Sequence, residues 1–210
     1  MLLALDTSAG TSVAVVDRDG GVLSEHGTPD TMRHAEAIGL LIERCLADAD
    51  VAVSDLSGVV AGMGPGPFTG LRVGIAAARV FALGAGKPLV PVISHDAIAY
   101  GHYRGGGSGR ILVVTDARRR EVYWSAYSGI DETRLPVREG GPGLAKPAEL
   151  DEAGFEYLDV PRLDATTVSA GDLGMYAELA FADKRPFAAD EPLYLRSPDV
   201  TPPGARKRVS

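Results

Sequence analysis

The sequence of 210 residues contains a single cysteine, Cys45, and its aromatic residues make up only 6% of the chain. A lone cysteine cannot form an internal disulfide, so a disulfide-stabilised scaffold is excluded and a reducing setting is expected. No apolar run reaches the roughly 18 residues of a membrane-spanning helix, and no export signal is recognised at the N terminus. We therefore expect a cytoplasmic protein that makes no contact with a membrane.

Positive charge is also scarce, with 21 Lys and Arg against 28 Asp and Glu, a formal net charge of −7. A protein that binds nucleic acid over a broad surface normally carries the opposite excess. The stretch Arg206, Lys207 and Arg208 near the end of the sequence is locally basic, but too short to change this balance. Direct binding of nucleic acid is therefore disfavoured, while the 45% apolar content is ordinary for one large or two small globular domains.

The most informative stretch is residues 61–74, a glycine-rich loop between a candidate strand at 56–62 and a candidate helix at 68–84. Glycine allows close approach of another group to the backbone, and the first amides of a helix attract anions. The pattern therefore suits either an anion site or a turn that lets the helix pack closely on a sheet. The loop residues singled out are Gly62, Gly64, Gly66 and Thr69.

Two familiar phosphate motifs are absent from this loop. A Walker loop needs a lysine after Gly70, where Leu71 stands, and a dinucleotide fingerprint needs a glycine in place of Pro67. Both interpretations of the loop, anion binding and close packing, remain open at this point.

The helix at 68–84 is apolar on nearly all sides, with only Thr69, Arg72 and Arg79 polar. Such a helix must be covered on two sides. One cover is its own sheet, and the other is either a second helix of this chain or a partner subunit.

Before the glycine-rich linker at 105–109, the hydrophobic pattern predicts three antiparallel strands and then alternating helices and strands. The predicted elements are strands at 2–5, 11–16 and 22–26, a helix at 31–48, a strand at 56–62, a helix at 68–84, a strand at 89–93 and a helix at 94–103. Thr31 and Ser94 are the expected N-caps of the first and third helices. This order predicts a mixed five-stranded sheet with helices on both faces.

After a glycine-rich linker at 105–109 the opening pattern returns, because a strand at 111–115 closes on Asp116 as the first strand closes on Asp6. We expect two related domains, at 1–104 and 110–197, and a loose tail at 198–210. The further elements predicted in the second half are a strand at 121–127, a strand or turn at 135–139, a helix at 147–153, a strand at 155–160, a helix at 172–183 and a closing segment at 192–196.

Residues 62–74 together with Asp6, Thr7 and Ser8, residues 116–124 and the segment 191–196 closely resemble the TsaB (YeaZ) family. The resemblance spans nearly the whole chain and implies an α/β, actin-like (ASKHA) fold. Its two related subdomains are each built on a mixed sheet with flanking helices, and the second is reduced.

The family resemblance also implies a function, that of a non-catalytic subunit which pairs with a TsaD-like catalytic subunit. With a TsaE-like ATPase, that pair transfers threonylcarbamoyl to the adenosine next to the tRNA anticodon. The resemblance further implies a homodimer when the chain is alone, contact with tRNA only through the complex, and no cofactor of its own, with ATP possible at the level of the complex.

In an actin-like nucleotide cleft, Asp6 and Asp116 would hold the two phosphate-loop positions. The resemblance implies that this cleft is vestigial here, and the alternative is that each aspartate simply ends a strand in a turn. The cleft residues are Asp6, Thr7, Ser8, Asp116 and Gly171.

TsaD-like proteins carry a His-x-x-x-His metal pair, whose four-residue spacing puts both rings on one helix face. Here His95 is followed at that spacing by Ala99, and His102 is too distant to complete a good site. We therefore expect no metal, with His95 as a helix-start or surface histidine.

The resemblance implies a partner surface on the first two helices, made by His34, Ile38, Leu41, Arg72, Ala78 and Arg79. His34 on a merely solvated face is an equally good interpretation, and so is solvation of the arginine run 118–120, which could otherwise touch phosphate. The alternative function is that of an enzyme acting alone, either an ATP-binding phosphotransferase or a glycoprotease-type metallopeptidase. No catalytic residues are expected in the chain.

Overall fold

The computed structural model describes residues 1–152 and 160–196. The strands are β1 (Leu2–Asp6), β2 (Thr11–Asp17), β3 (Gly21–Thr28), β4 (Gly58–Gly62), β5 (Leu89–Val92), β6 (Ile111–Asp116), β7 (Val122–Ile130), β8 (Pro136–Ala145) and β9 (Arg162–Asp164). The helices are α1 (His34–Asp48), α2 (Phe68–Ala85), α3 (Ser94–Arg104), α4 (Pro147–Glu152) and α5 (Ala170–Ala182). The strand predicted at 155–160, except for its last residue, and the tail at 198–210 lie outside the described residues.

The first sheet has the order β3-β2-β1-β4-β5, and the predicted mixed five-stranded sheet is confirmed. Strand β1 pairs antiparallel with β2 and parallel with β4. Every residue of β1 is buried, which is the pattern of a central strand covered on both faces.

The two faces of this sheet are covered by helices from different parts of the chain. Helices α1 and α2 cover one face, where Leu3 and Leu5 pack in one core cluster with Ile42 and Ile75. Helix α5 covers the other face, where Leu173 lies in a second cluster with the alternate residues of β1 and β2. Because α5 comes from the second half, the packing joins the two predicted domains, whose division at 1–104 and 110–197 stays a prediction.

The second sheet has the order β8-β7-β6-β9. Strand β8 extends well beyond the strand or turn predicted at 135–139. Strand β9 was not predicted from the sequence, because it has only three residues and two of them, Arg162 and Asp164, are charged. The short strand is held by parallel pairing with the buried β6.

Both predicted helix caps are wrong. Helix α1 begins at His34, and its N-cap Arg33 makes no side-chain cap bond. The hydroxyl of Thr31 instead accepts a hydrogen bond from Arg118 at 3.3 Å. Ser94 is the first residue of α3 rather than its cap, because its hydroxyl bonds to Asp6.

Helix α2, with 18 residues, is the one helix of the described chain long and apolar enough to cross a membrane. One such helix is weak evidence of a membrane span, since the core helix of a soluble protein meets the same criteria of length and hydropathy. Leu71, Ile75 and Ala82 of α2 belong to the core cluster between α1 and the sheet. The helix is therefore explained as a core helix.

Glycine in the first turns of α2 lets the turn after β1 approach the helix backbone. A Cβ built on Gly74 would lie 2.1 Å from Oγ1 of Thr7, whose hydroxyl donates a hydrogen bond to the Gly70 carbonyl at 2.8 Å. A Cβ built on Gly84, near the other end of the same helix, would meet nothing within 4 Å.

We predict opposite effects of alanine at these two glycines. Gly74→Ala forces Thr7 out of its buried position and should lower the free energy of unfolding by about 1–3 kcal/mol. Gly84→Ala should raise it by about 0.5–1 kcal/mol, because alanine loses less backbone entropy in a helix. Urea denaturation of both variants measures the effects, and equal effects would contradict this account of the packing.

Candidate functional site

The buried carboxylate of Asp6 joins three segments of the first half. Its Oδ1 accepts hydrogen bonds from the amide and the hydroxyl of Ser8, at 2.7 and 2.6 Å. Its Oδ2 accepts one from the Ser94 hydroxyl at 2.5 Å, and that hydroxyl in turn accepts the amide of Gly64 at 3.0 Å. The carboxylate therefore holds together the β1–β2 turn, the glycine loop and the start of α3.

The environment of Asp6 leaves little room for a ligand. A Cβ built on Gly62 would lie 1.9 Å from Oδ2 of Asp6, so only glycine fits beside the carboxylate. Burial raises the pKa of Asp6 above its ordinary value of 3.8, and the hydrogen bonds from Ser8 and Ser94 act in the opposite direction. Both oxygens are engaged by protein groups rather than directed at a bound phosphate or metal ion.

Of the predicted cleft residues, Asp116 and Gly171 lie outside this cluster. Asp116 is exposed and accepts the amide of Arg118 at 2.9 Å, the geometry of an aspartate that closes a turn. Gly171 is buried in α5, where a Cβ would lie 2.7 Å from Oε2 of Glu25 and 2.9 Å from Val22. Gly171 therefore allows α5 to pack on β3.

The glycine loop is occupied by the chain itself. Gly66 lies against Ser8, where a Cβ would come within 2.8 Å, and its carbonyl accepts the Tyr123 hydroxyl at 3.2 Å. Thr69 is exposed at the start of α2. Of the two interpretations, this geometry favours close packing at Gly62, Gly64 and Gly66.

His95 is fully buried, so its interpretation as a surface histidine is wrong. Its Nδ1 bonds the Ser125 hydroxyl at 2.8 Å and its Nε2 bonds the Thr115 hydroxyl at 2.9 Å. Burial lowers the pKa of His95 to about 3, so the ring is neutral and ties α3 to β6 and β7. Ala99 packs in the same region, and the described residues contain no group of three or more potential metal ligands.

The predicted partner residues divide into an inner and an outer set. Ala78 is fully buried in the core, and His34 and Ile38 are also buried, so these three side chains cannot form the outer surface that the sequence predicted. Leu41 is half-buried against the same core. Ala78 lies on the side of α2 that packs against the first sheet, which is why it is buried.

The two predicted arginines of α2 are exposed but have partners in the chain. The guanidinium of Arg72 lies over the Phe68 ring, 4.1 Å from its centroid. Arg79 donates a hydrogen bond to the carboxylate of Asp190 at 2.7 Å, and both side chains are partly exposed. The outward faces of α1 and α2 instead present Leu40, Val80 and Leu83, which are 69%, 70% and 83% exposed.

The closing segment crosses from the first half to the second. The amide of Leu193 donates to the Met63 carbonyl at 2.8 Å, and the Tyr194 ring lies 4.7 Å from that of Phe68. Arg196 donates to the Ala117 carbonyl at 3.0 Å, and it is also paired with Glu121. The sequence predicts this closing segment at 192–196. It does not predict the residues that the segment contacts, because they lie far away along the chain.

Comparison with known proteins identifies the family. The sequence profile of TsaD, tRNA N6-adenosine threonylcarbamoyltransferase, matches residues 7–170. The tRNA threonylcarbamoyladenosine biosynthesis protein TsaB of Escherichia coli is 32% identical over 151 residues, covering 72% of this chain and 64% of that protein. The solved structure of YeaZ from Pseudomonas aeruginosa matches with a TM-score of 0.73 at 28% identity, and the match covers 92% of this chain and 99% of that one.

The chain belongs to the TsaD family, in its TsaB (YeaZ) group. A protein of Mycobacterium tuberculosis, described as uncharacterized, is 40% identical over 209 residues, which is 96% of this chain and 94% of that protein. A polyphosphate/ATP-glucomannokinase from Arthrobacter has a TM-score of 0.50 at 17% identity, with 86% and 98% of the two chains covered. The latter likeness concerns the fold alone and confirms the actin-like architecture of this TsaB-group protein.

The buried carboxylate predicts a specific pH dependence of stability. Because the pKa of Asp6 is higher in the folded state, the stability that this group contributes is complete below pH 3.8 and is lost as the pH rises through the folded pKa. The free energy of unfolding of the Asp6→Asn variant, relative to the parent, should therefore increase as the pH rises above 3.8. Urea denaturation across this pH range measures the difference.

Asp17 supplies the matched control with the opposite sign. Amides of Gly20 and Asp19 donate to its carboxylate and lower its pKa, so Asp17→Asn should lose stability relative to the parent as the pH rises. Parallel pH trends for the variants at Asp6 and Asp17 would contradict the assigned roles.

Proposed function

We propose that this chain is a non-catalytic subunit that pairs with a TsaD-like catalytic subunit. Together with a TsaE-like ATPase, the pair transfers threonylcarbamoyl to the adenosine next to the tRNA anticodon. The family membership and the similarity to the E. coli tRNA threonylcarbamoyladenosine biosynthesis protein TsaB support this role. The setting would be cytoplasmic, in agreement with the lone cysteine and its expected reduced state.

The observation that carries the proposal is the exposed apolar surface of α1 and α2. Leu40 on α1 and Val80 and Leu83 on α2 are all more than two thirds exposed. The two helices pack side by side on one face of the first sheet, so their outward faces are neighbours. Exposed apolar surface of this kind typically marks a protein interface, and a stable one buries roughly 1,200–2,000 Å² in total.

The arrangement around Asp6 supports a subunit without its own chemistry. Both carboxylate oxygens already accept hydrogen bonds from Ser8 and Ser94, so the group has lost the freedom to position a metal-bound water. The same carboxylate position would have to serve a phosphotransferase. A glycoprotease-type peptidase would need a second histidine where Ala99 is packed in the core.

Two further partners, a second copy of this chain and tRNA, are considered from the apolar surface of α1 and α2 and from the net charge of the chain. In the absence of the catalytic subunit, the apolar surface of α1 and α2 would pair with a second copy of this chain. The net charge of −7 favours tRNA contact through the complex rather than through this subunit alone. Any ATP requirement would then belong to the assembled complex.

A charged residue on the apolar surface tests the pairing. Val80→Glu should weaken association with the TsaD-like subunit at least tenfold, because a carboxylate would be desolvated in the interface. The control is Phe181→Glu on α5, where a 72% exposed aromatic residue lies on a helix that packs on the opposite face of the sheet. Size-exclusion chromatography and titration calorimetry with the purified partner measure both, and equal association of the two variants would contradict the proposal.

Reconstitution of tRNA modification tests the subunit role itself. We expect threonylcarbamoyladenosine to form only when this chain, the TsaD-like subunit and the TsaE-like ATPase are combined with the activated donor and tRNA. Turnover of ATP or of the donor by this chain alone would overturn the non-catalytic assignment.

A further inference from the structure

A cleft of about 590 Å³ opens between the beginnings of α1 and α2 and the turn that joins β6 to β7. Its walls include His34, Glu36, Gly70, Arg118 and Arg196. None of the predicted nucleotide-cleft residues lines this cleft. The exposed apolar residues Val80 and Leu83 of α2 do not line it either. The volume falls in the range of small-molecule sites.

Two arginines, Arg118 and Arg196, place positive charge on the walls of the cleft. Arg118 reaches across from the second half and donates one hydrogen bond to Thr31 at 3.3 Å, which fixes its position and leaves its other donors available. Arg196 lines the opposite part, with one bond to the Ala117 carbonyl and an ion pair to Glu121. Among the lining side chains the only carboxylate is that of Glu36.

Helix α2 contributes its positive end to the same cleft. Pro67 and Phe68, at the start of this 18-residue helix, both line the cleft. The helix has no acidic residue in its first turn and no side-chain cap bond at its N-cap. Its first amides are therefore not neutralised by a local carboxylate or hydroxyl, which is the condition under which a helix start attracts an anion.

His34 supplies a further polar atom on the wall of the cleft. The residue is only 6% exposed, and its Nδ1 bonds the Thr11 hydroxyl at 2.7 Å. Its ring lies against Gly70 on the cleft wall, and its Nε2 has no hydrogen-bond partner among the described residues. This nitrogen can therefore exchange a hydrogen bond with a ligand or with water in the cleft.

We infer that this cleft binds the phosphoryl group of a small phosphorylated molecule. Arginine donors and free helix amides match the several acceptor oxygens of a phosphoryl group, and the imidazole Nε2 adds a further polar contact. The cleft suits a compact ligand better than a nucleic acid backbone, because both of its arginines, Arg118 and Arg196, line one cleft of about 590 Å³. The inference does not depend on the proposed partner and applies to the chain alone.

Calorimetric titration of the full chain with four probes tests the inference and identifies the source of the phosphoryl group. The probes are AMP, ribose 5-phosphate, inorganic phosphate and adenosine. Binding of AMP with weaker or no binding of adenosine supports the inference. Comparable binding of ribose 5-phosphate would extend it to phosphorylated sugars, and binding of AMP alone among the phosphates would restrict it to nucleotides.

Variants of the cleft make the test specific. Arg118→Gln should weaken AMP binding about tenfold or more, since it removes charge-assisted hydrogen bonds. Arg120→Gln removes the same charge from the same turn at an exposed residue that does not line the cleft, and it should leave the affinity within about twofold. Glu36→Gln removes the one lining carboxylate and should strengthen binding, which also covers the case in which Arg118→Gln does not fold.

Three results would overturn the inference. The first is equal binding of AMP and adenosine, which would mean that the phosphoryl group contributes nothing. The second is the absence of binding by all phosphorylated probes. The third is an equal loss of affinity in Arg118→Gln and Arg120→Gln, which would mean that net charge rather than the cleft attracts the anion.

Discussion

The structure depends on a carboxylate that is removed from water and satisfied by hydroxyl and amide donors. Asp6 ends the central strand of the first sheet, and its hydrogen bonds to Ser8 and Ser94 fix the following turn against the glycine loop and α3. A buried carboxylate is unfavourable unless its oxygens are paired, so these three segments form a mutually dependent unit. The same pairing that stabilises this unit occupies the atoms that an actin-like enzyme would direct at its nucleotide.

The glycines of the 61–74 region belong to this unit. From spacing alone, a strand, a glycine loop and a helix start are equally compatible with anion binding and with close packing. The decisive information is which atoms come near, and those belong to Asp6 and Ser8, more than 50 positions away along the chain. Anion-binding character is retained only where α2 begins, on the side of the helix that faces the second half.

The architecture of the first half could be predicted from its sequence, because uninterrupted apolar strands and turn residues have strong local signals. The side of α2 that packs against the sheet could not be predicted, because a helix that is apolar on nearly all sides gives no indication of which side is buried. Ala78 lies on the buried side. The predictions for the start of α1 and for the role of His95 were wrong for a different reason. Their partners, Arg118 for Thr31 and the hydroxyls of Thr115 and Ser125 for His95, lie in the other half of the chain.

Helix α5 has a consequence for how the chain folds during its synthesis. The first sheet is complete once β5 has formed, yet one of its faces stays uncovered until Ala170–Ala182 has been made. A nascent chain released from the ribosome only as far as β5 would therefore expose a wide apolar sheet face to other molecules, including chaperones. Translation of the second half thus determines when the first half becomes safe from aggregation.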